Sequence, residues 1–540
     1  MSILAVRFDA SNLRCRHSPC CRWCGKLPLR SSSSSRATGA MSDGSVTVAH
    51  CVEGLPVGAF LWEVLLCAFL ASFLLGALCE PSPFALGLVS TEWLQTEQSI
   101  QAISASLALG NFLSVLVAGW MADRYGRLSV IRSSIFMTLC CGMVVQSATT
   151  LGQALASRLL LGLASGALVA VLMTLVAELL PSKRRGFYLT VWCCGKPAGS
   201  LFAILVSCLG PGMGWSTFSS LMLVPAMVLY ILARVDMLPE SPRHLYLVGR
   251  RHEGYNILLD MYEKELLPLP WAPDSIAVTT APSKSATAGS KAIASSFRSV
   301  AWSNAALTAW LCIAVFFVSA ADQCMKTWAP AGPSMKEAVL MGGTSLSLLG
   351  YDPLRMEQND HRFVLVLAQG YMMELIGIVL CAFLSSWISR KQMVQYSLLS
   401  AAVFSVAALA LEQRGWLLLS GPLVGMQLVA QAAALNFLQV FACEKFPTSC
   451  RATTVALVVC SGQLARFCMP AVAGLLVRRV SDSTAIFSFS CMYLVGLLVS
   501  FQLPLPSGRE KPLHDVEEER GPKEALAKGA RKHPVTYQTV

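Results

Sequence analysis

Charge is what this sequence has least of: only 14% of its 540 residues are Asp, Glu, Lys or Arg, against 54% hydrophobic, and its mean hydropathy is +0.57. That balance excludes an ordinary soluble domain, a nucleic-acid reader and a soluble Rossmann enzyme. The sequence holds no G-x-x-x-x-G-K-[ST] loop, no hydrolase constellation and no metal-ligand cluster, so neither an enzyme, a resident metal nor a cofactor is expected. Asn-x-Ser/Thr is also missing throughout, which leaves no N-glycan acceptor. Cys21 and Cys24 form a lone C-x-x-C with no second pair in reach, too little for zinc. Many of the 20 cysteines, including Cys67, Cys140, Cys141, Cys381 and Cys460, lie inside apolar runs, where a thiol acts as a small hydrophobe.

What is present is a series of apolar runs. A bilayer core of about 30 Å takes about 20 residues of helix. Runs near 59–90, 99–121, 129–149, 151–179, 187–210 and 215–237, then 301–321, 363–388, 393–411, 415–442, 452–477 and 483–503, predict twelve transmembrane helices. The expected class is thus an all-α membrane protein with two six-helix bundles, 55–237 and 301–503. A linker at 238–300 joins them, flanked by a basic, mostly disordered tail at 1–54 and a charged tail at 504–540. The composition of residues 1–40 resembles a targeting segment; a disordered tail, or a start at Met41, fits it as well.

Basic residues mark alternate breaks. Arg124, Arg127 and Arg132 follow the second run, Lys183 to Arg185 the fourth, and Arg243, Arg250 and Arg251 the sixth, while the breaks after the first, third and fifth hold no Lys or Arg. By the positive-inside rule, both termini and the linker are expected in the cytosol and 322–362 as an outer loop.

After the fourth run the chain reads Glu178-Leu-Leu-Pro181-Ser-Lys-Arg-Arg185-Gly, and after the tenth Glu444-Lys-Phe-Pro447-Thr-Ser-Cys-Arg451-Ala. Acid, proline and arginine at equal offsets in two six-helix halves imply internal duplication, an architecture typical of secondary transporters. Each Glu stands at a helix end near the lipid boundary, where an arginine on the next helix offsets it.

The break after the second run, Gly119-Trp-Met-Ala-Asp123-Arg124-Tyr-Gly126-Arg127-Leu128, resembles the signature loop of the major facilitator superfamily. The fourth run, Arg158-Leu-Leu-Leu-Gly162-Leu-Ala-Ser-Gly166, resembles that superfamily's arginine-bearing fourth helix, with small residues four apart that permit close packing. Pro239-Glu240-Ser241-Pro242-Arg243 is similar to the sequence that opens the intracellular helices of sugar porters and organic-ion transporters. Glu92-Trp93, Glu374-Leu-Ile-Gly377 and Cys460-Ser-Gly462 with Arg466 resemble the organic cation/anion and synaptic-vesicle-protein-related branch. In the second half the signature loop has degraded to Ser386, Trp387 and Ser389, with Arg390 and Lys391 remaining.

The resemblance implies a monomeric carrier of a small organic solute in a lipid bilayer, plasma or vesicle membrane, working by alternating access with or without a coupling proton or counter-ion. It also implies that Asp123, Arg127, Glu178, Arg185, Glu240, Arg243, Glu444 and Arg451 form a cytosolic gate, a partly buried network that differs between two states. Simple boundary ion pairs are the plainer reading.

Charges deep in apolar helices point to a solute path. At about 1.5 Å per residue, Lys196 and Glu374 both fall about 15 Å from the helix ends. They are expected to pair, to share one solute, or to lock the halves together. Pro197 frees a carbonyl beside Lys196, tolerable where a helix lines a cavity. Arg466 lies about 20 Å along the eleventh helix. Organic-anion members of the resembled branch carry a base in that helix, so the resemblance favours an organic anion. Glu80 is an intramembrane carboxylate if the first helix reaches Glu92-Trp93, and a loop acid if it ends at Cys79. Asp322 and Lys326 read as loop charges. A sugar or polyol carrier is the alternative within transport, and a non-transporting receptor or vesicle protein the alternative outside it.

Overall fold

A computed structural model of the chain describes residues 46–56, 58–79, 97–182, 185–209, 215–234, 237–271, 273, 276–277, 305–331, 361–385, 387–414, 417–479 and 482–504. The first half contains α2 (Ala59–Cys79), α3 (Glu97–Tyr125), α4 (Arg127–Gln146), α5 (Leu151–Leu179), α6 (Arg185–Cys193), α7 (Gly195–Leu209), α8 (Trp215–Met222) and α9 (Val224–Arg234), preceded by α1 (Val48–Glu53). The linker carries α10 (Pro242–Val248) and α11 (Arg251–Lys264). The second half contains α12 (Ala305–Ala331), α13 (His361–Leu384), α14 (Arg390–Gln413), α15 (Leu417–Lys445), α16 (Arg451–Arg479) and α17 (Asp482–Phe501).

Among the described residues, each of the twelve apolar runs falls on one helix, or on a pair of short ones. Among the described residues eleven spans are long and apolar enough to cross a bilayer, and α13 adds a shorter apolar stretch, Gly370–Leu384. Trp62, Phe383 and Leu498 are exposed, as expected of side chains facing lipid rather than water.

The fifth and sixth runs are each broken once, and proline explains both breaks. Pro197 has no N–H for the Cys193 carbonyl, and the chain turns at Cys194, whose N–H reaches Val191 O at 3.0 Å instead. Pro225 deprives the Leu221 carbonyl in the same way, and Leu223 N–H bonds Ser220 O at 3.1 Å.

Two expected boundaries are corrected. Helix α12 runs to Ala331, ten residues into the expected outer loop 322–362, because no Gly or Pro interrupts 305–329; Asp322 is therefore a helical residue and not a loop charge. The end of the expected disordered tail is ordered: Val46–Thr47 pairs in parallel with Ile276–Ala277, and α1 follows with its N-cap Thr47 accepting from His50 N–H. Tyr262 of α11 donates to Cys51 O at 2.8 Å, fastening α1 to the linker. Residues 1–45, Glu80, Glu92, Trp93, Ser386 and the tail from 505 lie outside the described residues.

Within the first half α5 packs on α3 and α4, and α2 on α7; within the second, α15 packs on α13 and α14, and α12 on α16 and α17. The halves meet along two seams, α3 against α16 and α6–α7 against α13. These seams are equivalents under the duplication, since the second and eighth runs correspond, as do the fifth and eleventh.

Candidate functional site

At one end of the bundle, four arginines repeat one local device. Arg127, Arg185, Arg390 and Arg451 are each the first residue of a helix, and each donates to the carbonyl five residues back. Those carbonyls belong to Ala122 (3.5 Å), Leu180 (3.1 Å), Ser385 (2.6 Å) and Phe446 (3.0 Å). A cation at a helix N-terminus opposes the helix dipole, but folding back lays it on the negative C-terminal end of the preceding helix.

This posture decides the pairings. The carboxylate of Glu178 receives Arg127 at 3.3 Å from its own half and Arg451 at 2.9 Å from the other, all three side chains fully buried. Its backbone carbonyl accepts from Arg243 Nε at 3.3 Å. Arg185 pairs with Glu53 at 3.5 Å, and Glu444 with Arg390 at 3.5 Å. The expectation that each glutamate faces the arginine of the next helix is thus corrected, because folding back aims those guanidinium groups elsewhere. The degraded second signature loop keeps its central contact, since Arg390 pairs with Glu444 as Arg127 pairs with Glu178, though less deeply buried.

Two further contacts cross between the halves. Asp123 accepts from Thr453 N–H at 2.9 Å and its hydroxyl at 2.7 Å; Thr453 is the third residue of α16, so the carboxylate caps a helix of the opposite half. Arg127 Nη2 also donates to Thr448 O at 2.9 Å. Glu240 caps α4 instead, accepting from Arg127 N–H and Leu128 N–H, both at 3.0 Å. Gly126 makes room for this: its φ is +103°, and a Cβ there would strike the Glu240 carboxylate. Burial raises the Glu240 pKa, with Arg127 opposing. His244 Nδ1 meets Arg127 Nη1, and burial, helped by Arg127, pulls its pKa down to about 2. The imidazole is therefore neutral and accepts from the guanidinium.

Of the eight expected gate residues, Asp123, Arg127, Glu178, Glu240, Arg243 and Arg451 share one network, and Arg185 and Glu444 stand at the same end in their pairs with Glu53 and Arg390. Sequence reasoning missed Glu53, Arg390, His244, Thr448 and Thr453. Of these only Arg390 carried a signal, as the remnant of the second loop.

Between the halves lies a cavity of about 110 Å³. Lys196 from α7, Glu374 from α13 and Arg466 from α16 all line it, with Trp192 and the amides Asn111, Asn436, Gln439 and Gln463. Pro197 and the break at Cys194 put Lys196 in the first turn of α7 at the cavity wall. Trp192 holds its indole N–H on Ala68 O, which leaves the ring as an apolar wall. Asp322, on α12, is buried and stands 3.9 Å from Arg466 across the second half. Arg158 lies elsewhere, donating to Leu78 O at 2.6 Å within the first half. Gly162 and Gly166 press the α5 backbone onto α3, where added Cβ atoms would strike Leu107 O and Asn111.

A seal bridging two duplicated halves beside a charged internal cavity is the architecture of a major facilitator. The family model of the Major Facilitator Superfamily matches residues 64–351, just over half of the chain. The chain belongs to that superfamily and is an integral, multi-pass membrane protein. It is 29% identical over 205 residues to the 4-hydroxybenzoate transporter PcaK of Pseudomonas aeruginosa, covering 37% of this chain and 45% of that one. With the protein of the same name from Pseudomonas putida it is 27% identical over 336 residues, 59% of this chain and 72% of that one. The synaptic vesicle 2-related protein of Rattus norvegicus is 26% identical over 240 residues, 42% of this chain and 41% of that one. Among solved structures, the proton:xylose symporter XylE from E. coli superposes with a TM-score of 0.62 at 17% identity, covering 84% of this chain and 98% of that one. That likeness concerns the fold.

Proposed function

We propose that the chain is a secondary carrier of a small organic anion, working by alternating access between its two halves. The observation that carries this reading is the cavity, where two cationic side chains, Lys196 and Arg466, and one carboxylate, Glu374, converge between the halves. An ionisable group is expensive at membrane depth unless it is paired or serves a solute. An excess of one positive formal charge on the lining suits an anion. The relatives named for 4-hydroxybenzoate transport support the same class. Trp192 supplies an apolar face for a ring, and the four amides supply hydrogen bonds for its substituents.

In this reading the ion-pair seal is the cytosolic gate, and its closure here corresponds to a state shut toward the cytosol. Both termini and the 238–300 linker are cytosolic, in a plasma or vesicle membrane. Glu80 is a further candidate for solute or proton contact, outside the described residues. The amides also favour a second reading, a sugar or polyol carrier, because hydroxyl-rich solutes need paired donors and acceptors.

The test is counterflow in proteoliposomes with labelled benzoate, 4-hydroxybenzoate, an organic cation and a hexose, comparing the wild type with Lys196→Ala and Arg466→Ala. Saturable benzoate or 4-hydroxybenzoate exchange, reduced at least about tenfold in either variant, is the expected result. Hexose exchange untouched by both substitutions would overturn the anion reading in favour of the second.

A further inference from the structure

Among the described residues, Leu266 alone of the non-glycine residues has a positive φ, +56°. It stands where α11 ends. Its N–H donates to Glu263 O at 2.9 Å and that of Leu267 to Tyr262 O at 2.9 Å, the paired bonds of a left-handed helix stop that glycine ordinarily makes. A leucine there is strained, and burial within the chain does not offset the strain, since the residue is 92% exposed. Leu267 is 39% exposed, and the stretch Leu266-Leu267-Pro268-Leu269-Pro270 holds no polar side chain.

The stop is held from both sides. After it, Trp271 packs edge-on against Tyr262 and His50, with ring centroids 6.4 and 5.7 Å apart, and its carbonyl accepts from the Tyr255 hydroxyl at 3.4 Å. Before it, two residues are fastened to the start of α2: Glu265 Oε1 accepts from Phe60 N–H at 2.9 Å, and Lys264 pairs with Glu63 at 2.5 Å. The apolar span of α2 begins at Ala59, so Phe60 lies in its first turn and marks the edge of the hydrocarbon. Trp62, in the same turn, is 57% exposed, as suits an aromatic of the membrane interface. Glu265 therefore sits on that edge, and Leu266 is the next residue.

We propose that the end of α11 is a membrane anchor: Leu266 and Leu267 insert into the acyl chains of the leaflet in which α2 begins, and hold the linker helices on the bilayer surface. The bilayer is the occupant because the apolar patch continues the lipid-facing edge already defined by Trp62 and the first turn of α2. Moving leucine side chains from water into hydrocarbon offsets the left-handed strain, whereas glycine, which this backbone suits best, would leave nothing to insert. Lys264 stays at headgroup level, its Nζ 5.7 Å over the Phe60 ring. The anchor reaches further than α11. Tyr262 of the same helix holds Cys51 O at 2.8 Å, and Glu53 of α1 pairs with Arg185, so α1 is fixed along with the linker.

The probe is phosphatidylcholine with a photoreactive diazirine on its acyl chain, in liposomes that hold the wild-type chain. After illumination and digestion, mass spectrometry locates the adducts. Adducts on Leu266 or Leu267 are expected at a yield comparable with that on Trp62, and none on Arg250 or Glu253, the exposed pair at the other end of α11. Adducts on Trp62 with none on either leucine overturn the proposal and mean that water, another segment of the chain or a second copy covers the patch. Leu266→Gly adds a readout whose sign decides. Glycine relaxes the left-handed residue, so a purely local role slows hydrogen exchange in the last turn of α11. Loss of the anchor outweighs that gain and speeds exchange in liposomes by about threefold or more. Slower or unchanged exchange in the variant overturns the proposal.

Discussion

Glu178 and Arg451, 273 positions apart in the chain, meet at 2.9 Å with both side chains fully buried, and Arg127 reaches the same carboxylate oxygen at 3.3 Å. One carboxylate thus ties the signature loop of the first half to the repeat motif of the second. A buried pair stabilises little compared with an apolar contact, but removing one partner is costly because the other charge stays behind. Such a contact suits a gate, since its value lies in the difference between bridged and separated states.

Glu178→Gln is expected to weaken the bridged state by about 3–5 kcal/mol, leaving two buried guanidinium groups short of their anion. Cys443 and Cys450 are fully buried beside this seal, and their alkylation, located by mass spectrometry, reports its opening. At least about tenfold faster labelling than in the wild type is expected. Equal rates would mean that the seal is held by the rest of the network.

Asp123→Ala removes the cap that the first half places on α16, at an expected cost of about 0.5–2 kcal/mol. Asp123→Asn keeps an acceptor for the Thr453 N–H but gives up the charge that pairs with Arg127 at 3.1 Å. Thermal unfolding in detergent separates the two roles. An asparagine variant close to the wild type, with the alanine variant well below it, assigns the effect to the cap.

The twelve spans were legible because about 20 apolar residues in a row have few other homes. Lys196, Glu374 and Arg466 were legible for the complementary reason, since a charge in such a run stands out and its depth follows from the helical rise. The pairings were not. Arg185 and Arg451 fold back on Leu180 and Phe446, and whether such a guanidinium then meets Glu53 or Glu178 depends on how the halves dock, which no local pattern records. Asp322 was missed because an acid beside Gln323 looks like the end of a helix. The continuous helix-compatible stretch to Thr327-Trp328-Ala329 outweighs that one charge once Gln431 and Arg466 compensate it.

The neutral imidazole of His244 makes the seal sensitive to acid. Its pKa is about 2 in the folded chain against about 6.5 when free, so the unfolded or opened form binds more protons throughout that window. Stability is fully present above about 6.5 and lost as the pH falls, by about 2 kcal/mol between pH 7 and pH 5. Glu240 works in the opposite sense. Its pKa is raised by burial, so proton uptake on acidification favours the folded form and offsets part of the loss. In His244→Asn the amide oxygen accepts from Arg127 and does not titrate. Melting temperatures from pH 8 to pH 5 are expected to fall in the wild type and to stay level or rise slightly in the variant. Parallel curves would exclude His244 as the cause.

Gly162 tests how closely α3 and α5 must approach. In a bilayer the helices gain little from the hydrophobic effect against each other, so backbone contact between small residues carries more of the association. A Cβ at Gly162 would collide with the Leu107 carbonyl oxygen, and one at Gly110 with Leu159 O, so both sides of the contact are rigid backbone. Gly162→Ala can then be accommodated only by separating the helices, at an expected cost of about 1–3 kcal/mol. Gly152, on the same helix, has no atom within 4 Å of its would-be Cβ. Gly152→Ala gains helix propensity with no steric charge against it and is expected to stabilise by about 0.5–1 kcal/mol. The two substitutions make the same chemical change in one helix, and melting in detergent should move in opposite directions. A rise in both would show that propensity governs α5, and that its close approach to α3 has room to spare.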